Sequence, residues 1–535
     1  MKIAALGGNR AHAPANSRLA LVSAYTGGAD ILQIAVRLCH SGRLVLADAE
    51  ETTAATGTPG SIRAMNVSEL RQLDFSVGFV PRGHAPGEFS FLDHRVPDRR
   101  FAIDALDEVL DDLPAQATLW FDLRGPDGDV DAFRHGAEVL AGMIEGRARA
   151  SRCLFSCVDP GGYRHLQRLL PDGQFVTAFA GEATPAADLV AFSTTARRVT
   201  ADLQNDLAKI AAQTASGKWP RGAILLTSGQ IQAELVEAVA HSGSIAALGV
   251  ESTFDASGAR RSYVKVDEDF AGTETNRALF ALGYAKANRF GSVSWNDGVH
   301  IDIAPYDGDL PDFHGNPLER AVERLRWDVV NVAREWPFYS GGGLGVRSGI
   351  TGDFAAEVDY RVQNVGQATT LEMAVVNADP GAHQATPPAS FRDKDSFFDP
   401  HGAPPFVGVE HDEDDGYRIN WNLGTEYDNN QYGRPIGDGR TPRGARLRLE
   451  RRGSWFAGYY RAPVDEAGNN LAPRDWVCVG VARNESLNRT VHLRCVGKRW
   501  RQEKASDPTQ HEPILANRFT YRNLKIVCFP AVEGA

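Results

Sequence analysis

The stretch Ala4 to Gly57 reads AALGGNRAHAPANSRLALVSAYTGGADILQIAVRLCHSGRLVLADAEETTAATG and opens a long alternation of apolar runs with helical segments. Together with the residues just before it, the stretch supplies three strand candidates, Lys2–Leu6, Ile31–Leu38 and Arg43–Ala47. The alternation runs on to about residue 290, with further strand candidates at Thr118–Leu123, Cys153–Val158, Phe175–Phe179, Ala223–Thr227 and Ile245–Val250. Helical segments such as Asp129–Ile144 and Ile231–Ala240 separate them, and the long polar stretch Ala186–Ser216 fits an outer helix. Ala223-Ile224-Leu225-Leu226 is apolar without interruption, as a strand covered on both faces is. Eight strands with helices between them suit a closed parallel α/β barrel. Alternation alone equally allows an open, doubly wound sheet.

Four groups in this stretch, Leu6-Gly7-Gly8, Pro14-Ala15-Asn16-Ser17, Gln33-Ile34-Ala35 and Ala47-Asp48, follow in an order and spacing that resembles the glycerophosphodiester phosphodiesterase family. In that family the slots hold His-Arg-Gly, Pro-Glu-Asn-Thr, Glu-x-Asp and His-Asp. Ser68–Asp74 and Ile103–Leu110 continue the order, as do Leu119–Arg124, with Asp122 and Arg124 where the family has Glu-x-Lys, and Leu154–Asp159. The resemblance spans roughly the first half of the chain, and order and spacing carry it. It implies a TIM-like barrel, with two histidines as general acid and base around a divalent cation held by carboxylates. Leu6 and Ala47 have no proton to exchange near neutral pH. Ala15, Gln33 and Ala35 deprive a hard cation of its anionic oxygens, with the Gln33 amide as one weak ligand. The expectation is a protein that is not a metal-dependent glycerophosphodiesterase.

With 535 residues, 43% of them hydrophobic, the chain is long enough for more than one domain with its own core. A net charge of -11 argues against a nucleic-acid partner, which requires a concentrated basic face. No apolar run approaches the roughly 18 residues of a membrane-spanning helix. The chain enters a strand at once with MKIAALGGNR, so no apolar signal segment and a cytoplasmic location are expected, unless a leader was removed or the protein joins an exported assembly. The six cysteines form no CxxC pair and read as reduced structural residues.

After Ala285 the pattern changes. Ser294–His300 reads as a hairpin around Asp297-Gly298. Pro305, Gly308, Pro311, Gly315 and Pro317 then punctuate a connecting segment over 301–335, in which Asn316-Pro317 is a helix start. The barrel is accordingly placed at 1–300 and a second domain at 336–535. There Ala355–Val362 and Arg446–Arg451 alternate with period two, as half-buried strands do. Gly352-Asp353-Phe354, the hairpin LRLERRGSWFAGYY over Leu447–Tyr460, Trp476–Gly480 and Arg518–Cys528 resemble a concanavalin A-like lectin/glucanase fold, which implies an antiparallel all-β jelly-roll sandwich.

Candidate site residues fall in both halves. Arg10, Gln33, Arg37 and Asp48 are candidate ligand-binding groups at the barrel mouth. A repurposed catalytic site there would use His12, Asp122 or Arg124. In the second half, Trp421, Asn422, Tyr427 and Tyr432 combine aromatic faces with amides, the surface that stacks and hydrogen-bonds sugar rings. Trp455 reads as core. Glu357 and Asp359 begin a glycosidase-like Glu-x-Asp pattern that Arg361 and Val362 interrupt; an ordinary exposed strand face accounts for them equally. The acidic turn Glu410–Gly416, through Asp412 and Asp414, is a candidate Ca²⁺ site, and a solvated hairpin is the simpler account. No other cofactor is expected. The favoured function is recognition of a carbohydrate, glycoconjugate or glycerol-phosphate polymer. A glycan-active hydrolase or lyase and a structural subunit of a surface or tail-like assembly are the alternatives, with oligomerisation open.

Overall fold

The computed structural model describes residues 1–84, 101–125, 129–147, 150–178, 187–218, 221–243, 245–273, 276, 278–284, 291–303, 339–363, 369–377, 397, 405–412, 416–424, 431–432, 444–461, 475–500, 503–504, 507–511 and 515–530. Its chain divides into two compact units, the first ending at Arg261 and the second running on from Ser262.

The first unit contains β1 (Lys2–Leu6), β2 (Ile31–Leu38), β3 (Leu44–Leu46), β4 (Thr118–Arg124), β5 (Cys153–Cys157), β6 (Gln174–Ala178), β7 (Leu189–Thr194), β8 (Ala223–Thr227) and β9 (Ile245–Val250). All but β3 pair in parallel around a closed ring: Ala4 of β1 lies opposite Ile31 on one side and Gly249 on the other. That closure decides for the barrel over the open sheet. Ala4, Ile31, Trp120, Leu154, Val176, Leu189, Ile224 and Ala247, one residue from each barrel strand, pack together as one buried cluster. This is the side-chain layering that fills a barrel interior.

Two strand assignments differ from the sequence reading. β3 runs antiparallel to β2, with Val36 opposite Leu46. Only Cys39–Arg43 separates the two strands, whereas a parallel neighbour needs a crossover of about a dozen residues. The missing barrel strand is β7, inside the stretch read as outer helix. The helix there starts only at Ala201, where the Thr200 hydroxyl accepts the Leu203 N–H at 3.2 Å.

The β1 turn keeps its glycines for a steric reason. Gly8 sits at φ +82°, and a Cβ there would lie 2.4 Å from the carbonyl carbon of Ala20. Ser17 caps the helix Arg18–Thr26 by accepting the Ala20 N–H at 3.1 Å. Asn16, also at positive φ, accepts the Ala35 N–H at 2.9 Å and ties this turn to β2.

The second unit contains β10 (Tyr263–Glu268), β11 (Phe280–Tyr284), β12 (Gly291–Trp295), β13 (Val299–Ile303), β14 (Tyr339–Val346), β15 (Ile350–Thr351), β16 (Asp353–Val362), β17 (Thr369–Val376), β18 (Phe406–Asp412), β19 (Gly416–Asn422), β20 (Gln431–Tyr432), β21 (Gly444–Arg452), β22 (Trp455–Arg461), β23 (Val477–Arg483), β24 (Thr490–Trp500), β25 (Glu503–Lys504), β26 (Asp507–His511) and β27 (Asn517–Phe529). Two antiparallel sheets form a β-sandwich. One has the order β12-β13-β27-β16-β21-β22-β23, with β10 also on β27; the other is β11-β14-β24-β17-β18-β19-β20, with β15 also on β24. Tyr417 of one sheet stacks on Tyr460 of the other at 3.9 Å, and Trp455 is buried as expected.

The sandwich therefore begins earlier than the boundary at 300. β10 and β13 both pair with the closing strand β27, Val299 lying opposite Tyr521. Val299, Ile301 and Ile303 are buried and His300 and Asp302 are not, so period two already holds here. The connecting segment beyond Ile303, with the helix start at Asn316, lies outside the described residues.

Candidate functional site

The C-terminal ends of the barrel strands surround a cup of about 670 Å³. Gln33 comes from β2, Asp122 and Arg124 from β4, and Ser156 from β5; Arg10, Asp48, Tyr163 and Arg164 reach it from the connections.

Asp122 is the hub. Its Oδ2 accepts hydrogen bonds from Gln33 Nε2 at 3.2 Å and Arg124 Nε at 2.7 Å, and Arg124 Nη2 lies 2.6 Å away. Its Oδ1 accepts the Ser156 hydroxyl at 2.8 Å, and the Trp120 indole N–H donates to that hydroxyl oxygen at 2.8 Å. Both carboxylate oxygens are thus occupied by protein donors. Arg124 Nη1 makes no hydrogen bond among the described residues, and the side chain is 33% exposed. Asp48 Oδ1 lies 3.7 Å from Arg124 Nη2. Arg10 pairs with Glu251, whose other oxygen accepts the Gly229 N–H at 3.0 Å.

Arg37 does not line the cup. It is buried beneath Asp48, donating to the Asp48 carbonyl from Nε at 3.1 Å and Nη2 at 2.9 Å and to Glu50 from Nη1 at 3.0 Å. Burial lowers its guanidinium from the usual range, and Glu50 opposes that shift. His12 is also misplaced by the sequence reading, which put it at the barrel mouth. It is fully buried, with Nε2 2.5 Å from the Ser252 hydroxyl and its ring against Phe254. Asp159 caps the helix Pro160–Leu169 through the Gly162 N–H. Burial pushes the Cys157 thiol up to about 12, which removes it as a nucleophile near neutral pH.

The donor set does not fit the divalent cation that the family resemblance implies. Leu6, Ala15, Ala35 and Ala47 supply no ligand, and the carboxylate of Asp122 is already neutralised by a guanidinium. Among the described residues no three His, Cys, Asp or Glu side chains gather as a metal site.

In the sandwich, Asn422 is buried; its Oδ1 accepts the Gly424 N–H at 2.8 Å and its carbonyl accepts Asn484 Nδ2 at 2.8 Å. Its amide stabilises a strand end and is not presented to a sugar. Trp421 is half-buried on β19; Tyr427 lies outside the described residues, and of Tyr432 only the backbone, paired with Asn420, is described. Asp412 is buried inside the sheet, where it accepts the Thr370 hydroxyl at 2.8 Å and lies 3.7 Å from Arg418. It is not a free ligand in a solvated loop; Asp414 lies outside the described residues. Glu357 pairs with Arg446 at 3.0 Å and with Arg448, as a cross-strand ion-pair ladder does.

The architecture is thus a TIM barrel with a polar cup at its strand ends, followed by an antiparallel sandwich. Residues 7–244, which include the barrel strands from Ile31 to Thr227, match the model of the Glycerophosphoryl diester phosphodiesterase family. Solved structures similar to it include a glycerophosphodiester phosphodiesterase from Agrobacterium tumefaciens, at 17% identity over 48% of this chain and 99% of that one, with a TM-score of 0.38. Another is an Oleispira antarctica phosphodiesterase in complex with the product sn-glycerol-3-phosphate, at 14% identity over 48% of this chain and 95% of that one, with a TM-score of 0.37. No curated protein matches the chain. No helix among the described residues is long and apolar enough to cross a membrane.

The resemblance slots pointed to Gln33, Asp48, Asp122 and Arg124, and Arg10 was read from its place near the strand end; the fold gathers all five around the cup. Ser156 and Trp120 were missed. Both stood in quoted strands, and only the register that places Trp120 opposite Leu154 brings the indole to Ser156.

Proposed function

We propose that the barrel cup recognises a phosphate-bearing polyol of the glycerol-phosphate type, free or at the end of a polymer, without metal-dependent phosphodiester cleavage. The observation that carries this reading is the Asp122–Arg124 pair. It occupies the carboxylate a cation would need and leaves Arg124 Nη1 unbonded among the described residues in a cup that also holds Arg10 and Arg164. A guanidinium matches phosphate oxygens in geometry as well as charge. Gln33, Ser156 and Asp48 are polar groups able to meet polyol hydroxyls. Leu6 and Ala47 stand in the slots where the family resemblance implies the two histidine proton carriers, which supports recognition without hydrolysis.

The test is titration calorimetry with glycerol 3-phosphate and glycerophosphocholine, with and without a chelator, beside an assay for released glycerol phosphate in Mg²⁺, Ca²⁺ or Mn²⁺. Binding that survives chelation, with no product, is the expected result. Metal-dependent turnover at an enzyme-like rate overturns the reading.

A further inference from the structure

The cup adjoins a second cavity of about 350 Å³ in the same unit, and the two share Arg10, Ala15, Asn16 and Asp48 as walls. Asp48, Glu51, Asp104 and Glu251 stand in its wall, and three phenylalanine rings set it apart from the cup. Phe75, Phe79 and Phe101 stand around it with Ile62, Ile103 and Ala54. Phe75 and Phe101 are joined by a backbone hydrogen bond of 2.9 Å, so two of the three rings stand on segments tied to each other. The Asp104 carboxyl at its wall accepts the Arg18 N–H at 2.8 Å and is raised above the usual carboxylate range by burial, as an apolar surround requires. Ala15 and Ala47, small residues in slots that the family resemblance assigns to a glutamate and a histidine, both line this lobe. On the loop that carries Phe75 and Phe79, Val77 is 55% and Val80 40% exposed.

We infer that the ligand of the barrel is an amphiphile, whose phosphate-bearing head occupies the cup and whose alkyl chain lies in the lobe walled by Phe75, Phe79 and Phe101. The inference rests on the proposed reading of the cup. Adjacency of the two cavities argues for the occupant: Arg10, Ala15, Asn16 and Asp48 line both, so a chain leaving a head held by Arg124 and Arg10 has the phenylalanine-walled lobe as its neighbour.

The test compares glycerol 3-phosphate with 1-decyl-glycerol 3-phosphate, kept below its micelle-forming concentration, by calorimetry on the full chain. The alkylated ligand is expected to bind about tenfold more tightly or better, since each buried methylene favours binding. Ala54→Phe, which fills the lobe from an exposed position, should abolish that gain and leave glycerol 3-phosphate affinity unchanged. Phe79→Ser provides a second variant with the same expectation should the first fail to fold, as judged by its melting curve. Equal affinity for the two ligands overturns the tail site while leaving head recognition intact. A gain that survives both variants places the chain elsewhere and also overturns the inference. Failure of both ligands to bind sinks the reading of the cup itself, and the tail site with it.

Discussion

Arg124 closes on Asp122 from two positions along the same strand, with Nε at 2.7 Å and Nη2 at 2.6 Å from a single carboxylate oxygen. Side chains at i and i+2 of a strand share a face, so the pairing follows from β4 itself. Its effect is to replace a negative centre, to which a cation would bind, by a neutral pair with guanidinium donors to spare.

Arg124→Gln is therefore expected to weaken glycerol 3-phosphate binding about tenfold or more, because charge-assisted bonds to phosphate are the strong ones. Asp122→Asn keeps the Arg124 charge and should weaken binding less. Calorimetry on both variants decides it; equal losses would show that the carboxylate itself contacts the ligand.

A chelator should leave binding unchanged. Affinities measured in EDTA and in Mg²⁺ are expected to agree within about twofold, since no step of the proposed recognition uses a cation. A strong Mg²⁺ requirement for binding would contradict the donor set described for the cup.

Asp104 gives a pH signature. Burial raises its folded-state pKa above the unfolded value, so its contribution to stability is fully present below the unfolded pKa and is lost as pH rises through the raised folded value. Asp104→Asn can still accept the Arg18 N–H through its amide oxygen and removes the buried charge. Its melting temperature should exceed that of the parent at pH 7 and show no such excess at pH 3. An excess of equal size at both values would mean that charge burial is not the cause.

Cys157 should resist alkylation. With its thiol pushed up to about 12 by burial, the thiolate fraction at pH 8 is very small. Rapid labelling of the folded protein by iodoacetamide at Cys157, read by mass spectrometry, would refute this.

The two units should fold as separate fragments when cut between Arg261 and Ser262. A cut at 300 strips β10 to β12 from the sandwich and splits β13, and should give a destabilised C-terminal fragment. Circular dichroism melts of both pairs of fragments check the boundary.

That boundary shows where sequence reading stops. The apolar runs of β1, β2, β4, β5, β6, β8 and β9 announce themselves locally, because strands covered on both faces must be apolar. β7 was hidden by its surroundings: its six residues, ending in Ser193-Thr194, stand before a longer polar helix and take on its character. β10 was hidden by distance, and β13, read as one arm of the Asp297-Gly298 hairpin, could not be assigned to the sandwich, since the partner of both, β27, lies more than two hundred residues on. In the cup, the resemblance slots gave Gln33, Asp48, Asp122 and Arg124. His12 read as a loop residue, since Ser252 and Phe254, which enclose it, are local to it only in the folded barrel.

The eight interior side chains from Ala4 to Ala247 form a plug, and the cup above it is a well closed at its floor. Nothing that enters can pass on down the barrel axis. A long polymer cannot be threaded through such a well; it can offer only a terminus or a side branch. Recognition of a polymeric ligand would therefore count chain ends and not chain length. Doubling the length of every chain at constant mass would halve the number of binding sites that the protein sees.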